Sequence, residues 1–257
     1  MVRWVRFAAG ALLLTSLFVI SPIIPVDLRF DVPILSQVLP QVEPVEANAT
    51  CAQGGECIVG NTGPGGGIVF YVAPTTFACG ATLASTCKYL EAAPTSGTAA
   101  WTDATYAWSG NTNIEIGVAA QGTAVGTGLK NTLAMETDAT RGANTAGTKT
   151  RDYRGPNSLT DWYLPSKDEL NELCKYARNQ TTGDTAVGCA ATGPLRDGFN
   201  KTDTRGLYWS STESGRIDAW GQQFGVPLEG WIAIGRSAQL TKTQDTWLNV
   251  RPVRAFG

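Results

Sequence analysis

Residues Asp161–Cys174 read DWYLPSKDELNELC, and this stretch decides how the rest of the chain is arranged. Trp162, Tyr163 and Leu164 form a short aromatic and apolar run of strand character. Pro165 ends it, and Ser166 stands where a helix N-cap belongs. Glu169 follows three residues later, so Ser166-Lys167-Asp168-Glu169 reads as a capping box, in which two orphaned backbone N–H groups are satisfied reciprocally. Pro165 and Leu170 take the N′ and N4 places of a hydrophobic staple. Leu170, Leu173, Cys174 and Ala177 recur at i, i+3, i+4 and i+7 and predict one buried helix face.

Around this helix the chain reads as short strands and polar turns. Ile58–Gly67 (IVGNTGPGGG) is turn-rich and leads into a strand at Ile68–Val72. Glycines ahead of a strand are in the wrong order for a phosphate cradle, which runs strand, loop, helix, so they are read as structural. Lys88–Ala92 is the expected second strand, paired with the first across the Cys79–Cys87 loop. Leu129, Leu133 and Ala134 predict a helix late in Thr123–Asp138. Ala139–Pro156 and Asn179–Asn200 read as loops, the first long and exposed. Leu207–Ser211, Asp218–Phe224, Gly230–Ile234 and Trp247–Phe256 read as strands. The order predicts an α+β domain of short antiparallel strands with two helices.

With 257 residues the chain holds one sizeable domain or two small ones. A formal charge of -2 with 16% charged residues leaves no basic surface for nucleic acid. Histidine is absent, which removes Ser-His and Cys-His nucleophile pairs, histidine general bases and histidine-ligated metals together. Carboxylate pairs such as Asp168/Glu169 and Glu213/Asp218 are what a glycosidase would use. Glu169 is accounted for by the capping box and Asp168 by the helix dipole. No catalytic residue, cofactor or metal is therefore assigned. Trp247-Leu248-Asn249 resembles the W-N-D motif of calcium lectins, but Val250 stands in place of its acid, and calcium needs several carboxylates.

Arg3 and Arg6 followed by the uncharged Phe7–Ile20 read as an export signal, with Ala47-Asn48-Ala49 as an A-x-A cleavage site. Phe7–Val26, 20 residues without a charge, reads equally as an uncleaved N-terminal membrane anchor, the only membrane contact expected. Residues 1–26 export the remainder on either reading. Residues 27–50, with prolines at 33, 40 and 44, form an extended linker, and 51–257 the domain. All six cysteines follow the linker, which argues for disulfides. Their spacing favours Cys51–Cys57, Cys79–Cys87 and Cys174–Cys189.

The ordered set GPGGGIVFYV (63–72), YLEAAP (89–94), DWYLPSKDEL (161–170), YWSSTE (208–213), AWGQQF (219–224) and VRPVRAF (250–256) resembles the C-terminal domain of bacterial collagen-like surface adhesins, the Lcl C-terminal domain family. That family is similar to the C-type-lectin-like superfold. It is also similar, more distantly, to formylglycine-generating enzymes, whose Leu-Pro-Thr helix start resembles Leu164-Pro165-Ser166. The resemblance implies an exported bacterial cell-surface module for adhesion, with an extracellular glycan or protein as partner. The chain departs from the family in having no G-x-y stalk repeat. It also has no cysteine after Cys189, where a formylglycine-type oxidase needs a pair.

Binding residues sit on loops held by a scaffold, and indoles stack on sugar rings. Trp162, Trp209 and Trp220, inside strand patterns, are expected in the core. Trp231, Glu229 two residues before it, and Trp108 stand at turns and are the candidate ligand-binding residues, within a recognition surface between Asp203 and Thr246.

Overall fold

A computed structural model describes residues 49–137, 140–199, 206–225, 232–243 and 248–257. The signal or anchor at 1–26 and nearly all of the linker at 27–50 lie outside these residues. Among the described residues, two sheets of short strands and three α-helices make an α+β arrangement. In the first sheet β1 (Ile68–Cys79), β2 (Ser85–Ala92) and β7 (Val253–Phe256) run antiparallel in the order β1-β2-β7. The second has the order β5-β4-β3-β6, from β3 (Leu207–Glu213), β4 (Asp218–Gln223), β5 (Ser237–Thr241) and β6 (Leu248–Asn249). Between β2 and β3 come α1 (Gly128–Met135), α2 (Ala146–Asp152) and α3 (Lys167–Ala177).

The stretch 161–174 ties the two sheets together. Tyr163 exchanges both backbone hydrogen bonds with Val253 at 2.9 Å, continuing the first sheet past β7. Successive side chains then point to different cores, as a strand requires. Tyr163 joins Leu170, Leu173, Phe224 and Val253 in one cluster, while Leu164 joins Met135, Trp209 and Val250 in another. Strand β3 separates the same two clusters, with Tyr208 on one side and Leu207 and Trp209 on the other. The α3 capping box forms as its sequence dictates: Ser166 Oγ accepts from Glu169 N at 3.3 Å, and Glu169 Oε2 accepts from Ser166 N at 2.7 Å. Leu170, Leu173, Cys174 and Ala177 are all buried.

The turn glycines are structural in a specific sense. Gly65 N and Gly67 N donate to the buried Glu91 carboxylate at 2.8 and 2.9 Å, and a Cβ on either residue would lie within 3.0 Å of the Trp162 ring. The three disulfides join Cys51 to Cys57, Cys79 to Cys87 across the β1–β2 hairpin, and Cys174 to Cys189. Such bonds persist in an oxidising compartment. No helix among the described residues is long and apolar enough to cross a membrane.

Four expectations need correction. The long exposed loop at 139–156 contains α2, which buries Ala146, Gly147, Thr148 and Thr150. It seats on α1 through small residues, so no apolar period announces it. Helix α1 buries Gly128, Asn131, Thr132 and Met135 rather than the Leu129/Leu133/Ala134 face. Asn131 and Thr132 are drawn in by backbone partners at Gly122 and Leu164. Residues 232–234 are not strand, and the rest of the expected Gly230–Ile234 strand lies outside the described residues. Trp220 is half-buried, its ring covered by the Lys167 ammonium 4.0 Å from its centroid.

Ser166→Ala removes one cap and should cost about 1 kcal/mol. Leu173→Ala empties a site that is 0% exposed and should cost about 2–5 kcal/mol. Urea melts of the two variants measure both; equal, negligible losses would mean that α3 does not organise the core.

Candidate functional site

Strand β1 is interrupted where it matters. Val72 pairs with Tyr89 and Phe77 with Cys87, so Ala73–Thr76 bulge out opposite Lys88 alone. Bulges re-aim side chains and tolerate proline, which has no N–H for the ladder. Pro74, Thr75 and Thr76 are accordingly exposed. Together with Ala124 and Val125, Asp168 on the first turn of α3, and the 183–185 turn, the bulge encloses an open groove of about 380 Å³. That volume lies within the range of small-ligand sites, roughly 300–1,000 Å³. Tyr71 and Phe77 supply its aromatic lining, Thr75, Thr76 and Thr185 supply hydroxyls, and Asp168 and Asp184 supply carboxylates.

Two buried carboxylates on α3 position the walls. Glu169 Oε1 accepts from Gly126 N at 2.8 Å and from the Tyr163 hydroxyl at 3.1 Å, in addition to its capping bond. Ser166 Oγ donates to Ala124 O at 2.9 Å and Asp168 N to Thr123 O at 3.0 Å, so the 123–126 wall is stitched to the helix start. Gly126 has φ +93°, and a Cβ there would stand 2.0 Å from Ala78 O, which leaves glycine alone able to close this wall against β1. One turn further along α3, Glu172 Oε2 accepts from Gly183 N at 2.8 Å. Lys175 Nζ lies 2.5 Å from both Glu172 Oε1 and Asp184 O, which pins the opposite turn.

Of the groove side chains, Asp184 Oδ1 accepts from Ala186 N at 3.0 Å, whereas Asp168 and the Tyr71 hydroxyl differ from the anchors in having no hydrogen-bond partner among the described residues. Asp168 is half-buried, and its carboxylate makes no hydrogen bond or ion pair among the described residues. Burial raises its pKa above the ordinary value, with Lys167 pulling the other way. Tyr71 is 4% exposed, and its hydroxyl makes no hydrogen bond among the described residues either. Burial, then the charges of Glu172 and Glu169, raise the Tyr71 pKa, so it stays a phenol able to donate. No group of three or more His, Cys, Asp or Glu among the described residues could hold a metal ion.

The residues picked from the sequence do not converge here. Trp108 is 0% exposed, donates its indole N–H to Ser210 O at 2.8 Å and lies under the Lys242 ammonium, so it is core and not ligand-binding. The turn at Ser109–Asn111 directs the indole inward because a carbonyl and a cation await it there. Trp231 and Glu229 lie outside the described residues. Of the carboxylate pairs, Glu213 is buried against Lys242 Nζ at 2.6 Å and accepts from Ile116 N and Gly117 N. Asp168 and Glu169 part company, one lining the groove and the other buried beneath it. Tyr71, Phe77 and Asp184 had no motif to mark them; the proline inside a strand pattern at Pro74 was the available signal.

Burial pushes the Glu169 carboxyl from its ordinary 4.5 up to about 7, against the hydrogen bonds that it accepts. Its folded pKa stands above its unfolded one, so the fold binds the extra proton. The stability from this group is complete below about pH 4.5 and is lost as pH rises through 7, to a total of about 3 kcal/mol. Glu91, Glu136 and Asp168 shift in the same direction, also chiefly through burial. The urea midpoint should therefore be higher at pH 5 than at pH 8, and Glu169→Gln should shrink the difference. A midpoint that falls on acidification would show that Glu169 is held ionised.

No protein-family model and no curated protein matches this sequence, so the reading of the groove rests on its own residues.

Proposed function

We propose that the chain is an exported recognition module of the bacterial cell surface that binds a glycan in the groove beside α3 and catalyses no reaction. The observation that carries this reading is the groove's mixture of side chains. Phe77, which is only partly buried, offers ring surface for the C–H face of a sugar. The Tyr71 hydroxyl, three threonines and two carboxylates without cationic partners offer the donors and acceptors that sugar hydroxyls need. Disulfides and the N-terminal charge and apolar pattern support export. The ordered motifs from GPGGGIVFYV to VRPVRAF, which resemble the adhesin C-terminal domain, support adhesion and a C-type-lectin-like arrangement of the α+β elements. Trp231 and Glu229 belong to this proposal as a second contact region, resting on their turn position alone.

A glycosidase is the second reading, favoured by one observation. Asp168, its pKa raised by burial, shares the groove with a second carboxylate, Asp184, and such hydrolysis uses a pair of carboxyl groups.

A glycan array probed with the purified chain tests the first reading. Tyr71→Phe deletes a hydroxyl that no described residue uses, so the melting transition should stay in place while glycan affinity falls about two- to tenfold. Retention of no glycan, or unchanged affinity in the variant, would remove the groove from the function. Release of reducing ends that Asp168→Asn abolishes would establish the glycosidase instead.

A further inference from the structure

We propose that the sugar held in this groove is an amino sugar with a free, protonated amine, seated between Asp168 and Asp184. The inference rests on the glycan reading above and narrows it to one chemical class. Its first support is a charge count of the lining. Among the described residues, two carboxylates line the groove and no lysine or arginine does. The cations nearest in sequence are committed elsewhere. Lys167 holds its ammonium over the Trp220 ring at 4.0 Å, and Lys175 Nζ is bound to Glu172 Oε1 and Asp184 O. Lys175 pairs with Glu172 beneath the floor, whereas Glu169 has no cation against it among the described residues. The groove therefore carries a negative field with a half-buried wall, which concentrates cations and repels polyanions such as sulfated chains.

Carboxylates alone would be an ordinary acidic patch. What makes this one a site is Tyr71 among them. The residue is 4% exposed, lines the groove, and leaves its hydroxyl without a partner among the described residues. The hydroxyl is not sealed from solvent, so it opens into the groove, where water or an occupant serves as its partner. An occupant that presents oxygens near Tyr71 and an ammonium near Asp168 satisfies both groups at once. Asp168 is its counterpart: it is half-buried, makes no hydrogen bond or ion pair among the described residues, and has only the charge of Lys167 to offset its burial. An amino sugar carries both functions on one ring, with an apolar face for Phe77. A fully acetylated sugar would leave the carboxylates facing an uncharged amide.

The test is calorimetric titration of the full chain, kept soluble in mild detergent, with glucosamine oligomers and with N-acetylglucosamine oligomers of the same length. The free-amine form should bind at least about tenfold more tightly, the scale of one charge-assisted hydrogen bond. Asp168→Asn and Asp184→Asn should each remove most of that preference, lowering affinity for the free-amine form by far more than for the acetylated form. Glu56→Gln, an exposed carboxylate outside the groove, should change neither. Equal affinity for both forms would overturn the amine inference and leave the glycan reading standing. Binding of neither form would overturn the inference, with the array deciding the wider reading. A loss in Glu56→Gln equal to that in Asp168→Asn would overturn it too, by showing general attraction to an acidic surface.

Discussion

The Glu169 carboxylate is the point on which the domain depends. Its side chain is 0% exposed and accepts hydrogen bonds from Ser166 N, Gly126 N and the Tyr163 hydroxyl. Those donors come from the helix start, the segment before α1 and the run that pairs with β7. One group thus fixes three pieces of chain that share no regular secondary structure. Burying a charge with no cation beside it is costly, and the raised pKa of Glu169 records that cost. The arrangement holds because the donors are backbone and hydroxyl groups that would otherwise be orphaned in the same place.

Other buried charges do the same work elsewhere. Glu91 takes Gly65 N, Gly67 N and Arg254; Glu213 takes Ile116 N, Gly117 N and Lys242. Arg251 pairs with Asp103 and also donates to Ala93 O and Gly198 O, while Arg178 donates to carbonyls at 191, 192, 193 and 224. In each case a charged side chain satisfies the backbone of an irregular segment. A domain with strands this short cannot satisfy its backbone by sheet ladders, so charged side chains stand in for them. Such pairs contribute less to net stability than to the choice of a single arrangement, since each is expensive to desolvate.

This division explains what the sequence disclosed. The α3 start was legible because capping and apolar spacing are local rules that Ser166, Glu169, Leu170 and Leu173 obey together. The glycines at 65 and 67 were legible as structural from their order relative to β1, although the partner they approach, Glu91, was not. Helix α2 was hidden because it packs through Ala146, Gly147 and threonines against α1. Trp108 was misplaced because its destination is set by Ser210 O and Lys242, both more than a hundred residues away in sequence. The groove was illegible for the same reason: Tyr71, Val125, Asp168 and Asp184 become neighbours only through the long-range bonds of Glu169 and Glu172.

Asp168 and Glu169 show how little separates scaffold from site in this chain. They are adjacent acids on the first helical turn, where either is favoured by the helix dipole. A helix rotates each successive residue by about 100°, so one faces inward and the other faces the groove. The inward side chain meets three donors and becomes an anchor. The outward one meets no hydrogen-bond partner among the described residues and keeps that capacity for something else. A site made this way needs no motif of its own: the anchors at 169 and 172 fix the walls, and the residue between the walls acquires its character from being the one left unpaired.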